Sequence, residues 1–237
     1  MNAFTLKLIA VVTMLIDHMG AVMPELFGFH YRVIGRISFP IFVFLIAEGF
    51  RHTKNPRGFM IRLGVFAIVS QPVFAFAIFG IDGIRGISFI QNTNIFYTLF
   101  LGGAAILCYN NIKKKILAVI PLLGFMLIAE LLTTDYGAYG VVFIFCMYVI
   151  RVKWLRLTAM AICCVWQHLW LFSFAFSWET EYYGSPVLYF MMIPSTLFAV
   201  LLVAFYNGKR GWGLKWLFYV FYPLHLAALL LLRMLMI

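Results

Sequence analysis

Long apolar runs alternate with short polar breaks along the whole chain. By that alternation, residues 4–23, 36–50, 59–80, 95–109, 115–132, 138–150, 155–176, 185–206 and 214–235 form nine hydrophobic segments, separated by stretches rich in Gly, Pro or charge. A hydrocarbon layer about 30 Å thick needs about 20 residues of α-helix to cross it. Segments 36–50, 95–109 and 138–150 are short for that task, so they either extend into flanking loops or form half-helices. The pattern predicts an all-α polytopic membrane protein with about nine transmembrane helices in a single helical bundle, residues 1–237 forming one integral-membrane domain. A tenth or re-entrant span around 81–94 is the alternative, and it would move the C-terminus to the other side.

Composition strengthens this reading. The 237 residues are 65% hydrophobic and 11% charged, with a mean hydropathy of +1.00, far from a soluble domain with one core. With the N-terminus cytoplasmic, the inner loops carry 14 of the 18 Lys and Arg residues; Arg32, Arg36, Arg85 and Arg233 are the other 4. Such a bias sets orientation in membrane proteins. The outer side instead receives Glu25, Asp82, Asp135, Glu179 and Glu181. The net charge of +10 therefore reads as topology, and with no basic face interleaved with aromatics outside the spans, the expected partner is a lipid bilayer and not nucleic acid. The first segment carries Asp17 and His18, lacks a small-residue cleavage site and leads into further spans, so it is expected to be retained. Cys108, Cys146, Cys163 and Cys164 lie in apolar spans without metal-ligand spacing and read as small hydrophobes; no metal is expected.

Few polar residues interrupt the spans, and each has a plain reading as an interhelical hydrogen bond worth about 0.6 kcal/mol. That reading is preferred for Gln71, Gln167 and His168, and Glu130 reads as solvated near the outer surface. Asp17 and His18 are different. An ionisable group at bilayer depth costs about 2.5–3.5 kcal/mol on insertion scales, so it faces a partner or a cavity. Lys7 precedes His18 by eleven residues, which aligns the two on one helix face about 16 Å apart. His18 is suited to act as a general base. Asp17 points about 100° away from it and is expected to pair with Arg36 from the next span, or to reach His18 through water.

Glu48, Arg51 and His52 share a face at i, i+3 and i+4, and Arg51, Lys54, Arg57 and Arg62 crowd one short inner loop. Positive-inside topology explains such a cluster; so does a phosphate clamp for a nucleotide-like ligand, since arginine forks match phosphate oxygens. No glycine-rich nucleotide motif is present. Pro223 removes a backbone donor inside the last span just before His225, which either lines a cavity or knits helices together. Asn92 and Asn94 either bind a polar acceptor or cap the fourth span.

Four stretches carry a resemblance: Leu6-Lys7-Leu8-Ile9-Ala10 through Leu15-Ile16-Asp17-His18, Gly35-Arg36-Ile37-Ser38-Phe39-Pro40 through Glu48-Gly49-Phe50-Arg51-His52, Asp135-Tyr136-Gly137-Ala138-Tyr139-Gly140-Val141, and Tyr222-Pro223-Leu224-His225 near the end. Together they resemble the TraX-type family, named for the acetylase of F-pilin, which is similar to transmembrane acyltransferases such as acyltransferase family three. Those relatives place a basic residue ten spacers before a histidine, as Lys7 and His18 stand here, though often with Arg at the basic position.

The resemblance implies an acyltransferase that moves an acetyl group from cytoplasmic acetyl-CoA to an amine or hydroxyl acceptor at or across a bacterial inner membrane: a pilin N-terminus, a glycan or a small molecule. On that expectation His18 and Asp17 are catalytic, Lys7, Arg51, His52, Lys54, Arg57 and Arg62 hold acetyl-CoA, and Arg36, Glu48, Asn92, Asn94 and His225 face the acceptor. The competing expectations are a proton-coupled transporter working through Asp17, His18, Glu48 and His225, and a non-catalytic assembly factor.

Overall fold

The computed structural model describes residues 1–28, 30–178 and 186–236, and every regular element among them is helical. Glu179 and Glu181, assigned above to the outer side, lie outside the described residues, as does the side chain of Lys215. The hydrophobic segments reappear as helices within a few residues of their expected limits. By length and composition, four stretches can cross a membrane: Ala3–Val22, His30–His52, Pro56–Gly83 and Trp216–Met236. Shorter apolar helices cover Ile95–Asn111, Gly137–Val149 and Tyr189–Ala204. Exposed apolar side chains such as Ile61, Ile68, Leu127, Trp166 and Leu231 suit contact with lipid tails. This is a helical membrane protein.

The chain folds into two compact units, each drawn from two separate stretches of sequence. The first takes residues 1–42 and 151–213. It holds α1 (Ala3–Val22), the short α2 (Pro24–Phe27) and α3 (His30–Gly35), the first turn of α4 (Ser38–His52), α9 (Lys153–Trp178) and α10 (Pro186–Ala204). Helix α1 packs on α3, α3 on α10, and α10 on α9. The expected span 36–50 proves short because the piece before it, α3, is a separate helix. A turn at Arg36-Ile37 splits α3 from α4, and the Ser38 hydroxyl donates to Gly35 O at 2.8 Å.

The second unit takes residues 43–150 and 214–237. It contains the rest of α4, then α5 (Pro56–Gly83), α6 (Ile95–Asn111), α7 (Val119–Leu131), α8 (Gly137–Val149) and α11 (Lys215–Met236). Asn55 caps α5 by accepting from Gly58 N at 2.7 Å, with Pro56 preset for the first turn. Small residues let membrane helices approach closely: a β-carbon at Gly102 of α6 would stand 2.7 Å from Ile144 of α8, and one at Gly103 2.7 Å from Phe50. The tenth span considered around 81–94 does not form. Helix α5 runs on to Gly83 past a break at Gly80 (φ 65°), and a single 3-10 turn, Gly86–Phe89, occupies the remainder.

Candidate functional site

In the first unit, the carboxylate of Asp17 is held between two arginines. Arg36 Nη2 donates to Asp17 Oδ1, and Arg32 Nε stands 3.7 Å from the same oxygen. Both arginines lie one turn apart on the α3 side, and Arg36 Nε also donates to Arg32 O at 3.2 Å. The approach depends on glycine, because a β-carbon at Gly35 would collide with Asp17 itself. Asp17 and His18 are both buried in α1. The expected pairing of Asp17 with Arg36 is what the structure contains. Arg32 was missed by sequence reasoning, although its spacing of four from Arg36 was a usable signal.

Helix α1 runs unbroken from Ala3 to Val22, so the alignment of Lys7 and His18 about 16 Å apart along one face holds. Its N-terminal end is sewn to the segment after α10. Ala3 N donates to Lys209 O at 2.8 Å, Phe4 N to Arg210 O at 3.1 Å, and Asn207 N to Met1 O at 2.9 Å. Asn2 caps the helix by accepting from Thr5 N at 2.9 Å, and Gly211, at φ 69°, passes close against the Asn2 side chain. These bonds satisfy the amides that a helix start leaves open and pin Arg210 beside the first turn, within Coulombic reach of Lys7. Two cations, Lys7 and Arg210, thus share the end of the helix that carries His18.

In the second unit, Glu48 accepts from Arg51 Nη1 at 3.2 Å and stands 3.5 Å from His52 Nε2, so the predicted shared face exists. Arg51 itself is used differently from the expectation. Its Nη2 donates to three carbonyls at the end of α8: Met147 at 3.0 Å, Tyr148 at 2.6 Å and Ile150 at 2.7 Å. The last carbonyls of a helix lack partners and carry partial negative charge, and Arg51 satisfies them. That gives Arg51 a structural use beside the phosphate clamp expected from sequence. Arg62 lies over the rings of Phe59 (5.7 Å) and Tyr219 (6.0 Å), joining α5 to α11. Lys54, Arg57 and His52 stay exposed.

The family model described as "TraX protein" matches residues 3–233. The chain belongs to the TraX family. It is also 31% identical, over a 238-residue alignment, to the "Probable fimbrial assembly protein FimC, serogroup H1" of Dichelobacter nodosus, covering 96% of this chain and 94% of that relative. No solved structure matches it.

Other polar positions of this TraX chain turn out to be structural. Asn94 is fully buried. It caps α6 by accepting from Phe96 N at 3.0 Å and donates to Ala67 O and Gln71 Oε1, both at 2.8 Å. Gln71 also donates to Phe89 O at 3.2 Å and Asn92 O at 3.3 Å. Asn92, in a left-handed conformation at φ 57°, donates from its backbone to Thr133 Oγ1 at 2.6 Å. This web ties the loop before α6 to α5 and to the turn after α7, and Asn94 makes the cap that was one of its two expected roles. Glu130 is more than a solvated surface acid: it accepts from Ala138 N at 2.7 Å at the start of α8. His225 donates from Nδ1 to Phe221 O of its own helix at 2.7 Å and stacks on the Phe221 ring at 4.7 Å. Its ring is fastened beside the Pro223 interruption.

His168 reverses its preferred reading. Expected to make an interhelical hydrogen bond, it is only 1% exposed, yet neither ring nitrogen has a hydrogen-bond partner among the described residues.

Proposed function

We propose that this TraX chain is an integral-membrane acyltransferase that moves an acetyl group from acetyl-CoA to an amine or hydroxyl acceptor, with a pilin-type protein amine as the favoured acceptor class. The observation that carries the reading is the pairing of the buried Asp17 with Arg36 beside His18, on the helix whose N-terminal end gathers Lys7 and Arg210. Membership of a family named for a pilin acetylase supports the chemistry, and the relative named as a fimbrial assembly protein supports the acceptor. With the N-terminus cytoplasmic, Lys7 and Arg210 stand at the inner surface of the inner membrane, where acetyl-CoA is available.

The division of labour follows from geometry within the first unit. Lys7 and Arg210 take the phosphates of the donor, and the roughly 16 Å from Lys7 to His18 matches the reach of an extended pantetheine arm. His18 accepts the proton of the acceptor N–H or O–H as the acceptor attacks the thioester carbonyl carbon. The C–S bond then breaks, and the departing thiolate takes that proton back from His18. Asp17 is a positioning residue: Arg36 and Arg32 hold its carboxylate, which fixes the turn of α1 that carries His18. Lys54, Arg57 and His52 of the second unit are not needed for this scheme.

The competing reading is a non-catalytic assembly factor, which the relative's printed name also fits. Release of free CoA decides between them. Purified detergent-solubilised protein is incubated with acetyl-CoA, with and without candidate amines, and CoA is separated by chromatography. Acyl transfer gives acceptor-dependent CoA release without a sealed vesicle, which also separates it from transport. Protein that binds no acetyl-CoA and releases no CoA with any acceptor would leave the assembly role.

A further inference from the structure

His168 sits on α9 with both nitrogens unpartnered among the described residues and only 1% of its surface exposed. An imidazole always carries at least one N–H, and a buried polar group left without a partner costs about 1–3 kcal/mol. A phenylalanine of similar shape would pack there with no such cost. A native structure that keeps an orphaned imidazole needs a reason for it, commonly a ligand or water that completes it.

The surroundings say what kind of ligand. Cys164, one turn before His168 on α9, interacts with Thr196 of α10, and α10 packs on α3. That face of α9 therefore meets α10, which also packs on α3, and Arg36 lies within Coulombic reach of His168. In this region two guanidinium groups flank the carboxylate of Asp17. Cationic groups and a buried N–H unmet among the described residues suit a negative charge that develops during reaction. Preorganised donors of this kind act on the oxyanion of an acyl-transfer intermediate, where one donor is worth about 10²–10³ in kcat.

We propose that His168 donates a hydrogen bond to the carbonyl oxygen of the donor thioester and stabilises the oxyanion formed when the acceptor attacks. This rests on the acyltransferase reading above and adds a residue to it. The attack places the carbonyl π electrons on that oxygen; their return expels the CoA thiolate, so His168 neither gains nor loses a proton over the cycle. It complements His18, which handles the proton.

The test compares wild type with His168→Phe, His168→Gln and His168→Asn, measuring acceptor-dependent CoA release and thermal unfolding in the same detergent. The expected result is a fall of about 10²–10³ in kcat for the Phe variant. KM for acetyl-CoA should barely change, because the interaction strengthens only in the transition state. The Phe variant should also unfold at a higher temperature than wild type, since the orphaned polar atoms are gone. At least one amide variant should recover part of kcat. An orphan kept for packing alone would give the reverse: a lower unfolding temperature, with kcat unchanged or falling only in step with stability. Wild type that releases CoA while His168→Phe keeps its kcat overturns this inference and leaves the acyltransferase reading standing. Wild type that releases none overturns both.

Discussion

Arg36 donates to the carboxylate of Asp17 across nineteen positions of sequence, and the two close on each other only because residue 35 between α3 and that carboxylate is glycine. Breaking a buried ion pair by removing one partner typically costs about 3–5 kcal/mol, whereas removing both costs far less. Arg36→Gln is therefore expected to lower the unfolding temperature sharply in detergent, and the double change Asp17→Asn with Arg36→Gln to recover much of it. A double variant no more stable than Arg36→Gln alone would remove the pair from the stability of this unit. Acetyl transfer should not return with stability, because the positioning of His18 goes with the pair.

Gly35→Ala should act on the same pair from the backbone side. The added β-carbon would fall on the Asp17 side chain, so both stability and CoA release are expected to drop. Gly124→Ala is the matched control: nothing lies within 4 Å of its β-carbon, inside α7. There the substitution should be neutral or stabilising by about 0.5–1 kcal/mol. Equal effects at the two positions would contradict the close approach.

The catalytic assignment predicts that His18→Ala loses about 10²–10⁴-fold in turnover while remaining folded and inserted. Turnover near wild type in a folded His18→Ala protein would make His18 structural.

Arg51 is expected to behave as a helix cap. Its partners are carbonyls, so Arg51→Lys, which keeps the charge and loses the fork, should lower the unfolding temperature and leave KM for acetyl-CoA unchanged in the protein that folds. By contrast, Arg210→Glu should raise KM several-fold, with kcat at saturation little altered. If the two variants exchange these effects, the donor phosphates belong with Arg51.

For orientation, single cysteines placed at Lys54, Lys114 and Asp82 of a variant lacking Cys108, Cys146, Cys163 and Cys164 give a direct reading in intact cells. The basic split predicts that 82 is labelled from outside and that 54 and 114 react only after permeabilisation.

Much of the fold was legible because each span is announced locally, by hydropathy and by caps such as Asn55 and Asn94 that act within three residues. The Asp17–Arg36 pair was legible for another reason: a carboxylate in an apolar helix demands a cation, and few were available nearby. The carbonyl contacts of Arg51 were not legible, since those partners stand 96 to 99 positions away and a backbone acceptor leaves no mark in sequence. His168 was misread because what distinguishes it is the lack of a partner, which only the packed interior reveals. The seam between α1 and residues 207–211 was invisible for the same reason, being made of main-chain bonds.

The first unit is assembled from residues 1–42 and 151–213, and that discontinuity bears on how the protein is made. When α1 leaves the ribosome, α3, on which it packs, follows within a few residues, but the main-chain partners of its first turn, residues 207–210, are still more than a hundred residues from being synthesised. Asp17 must nevertheless enter the bilayer early. Arg32 and Arg36 follow it by 15 and 19 residues, long before His168 or Arg210 exists. A carboxylate at bilayer depth is costly unless it is partnered, so the discontinuous unit has the counter-charges for Asp17 encoded in its first stretch and does not depend on its second for them.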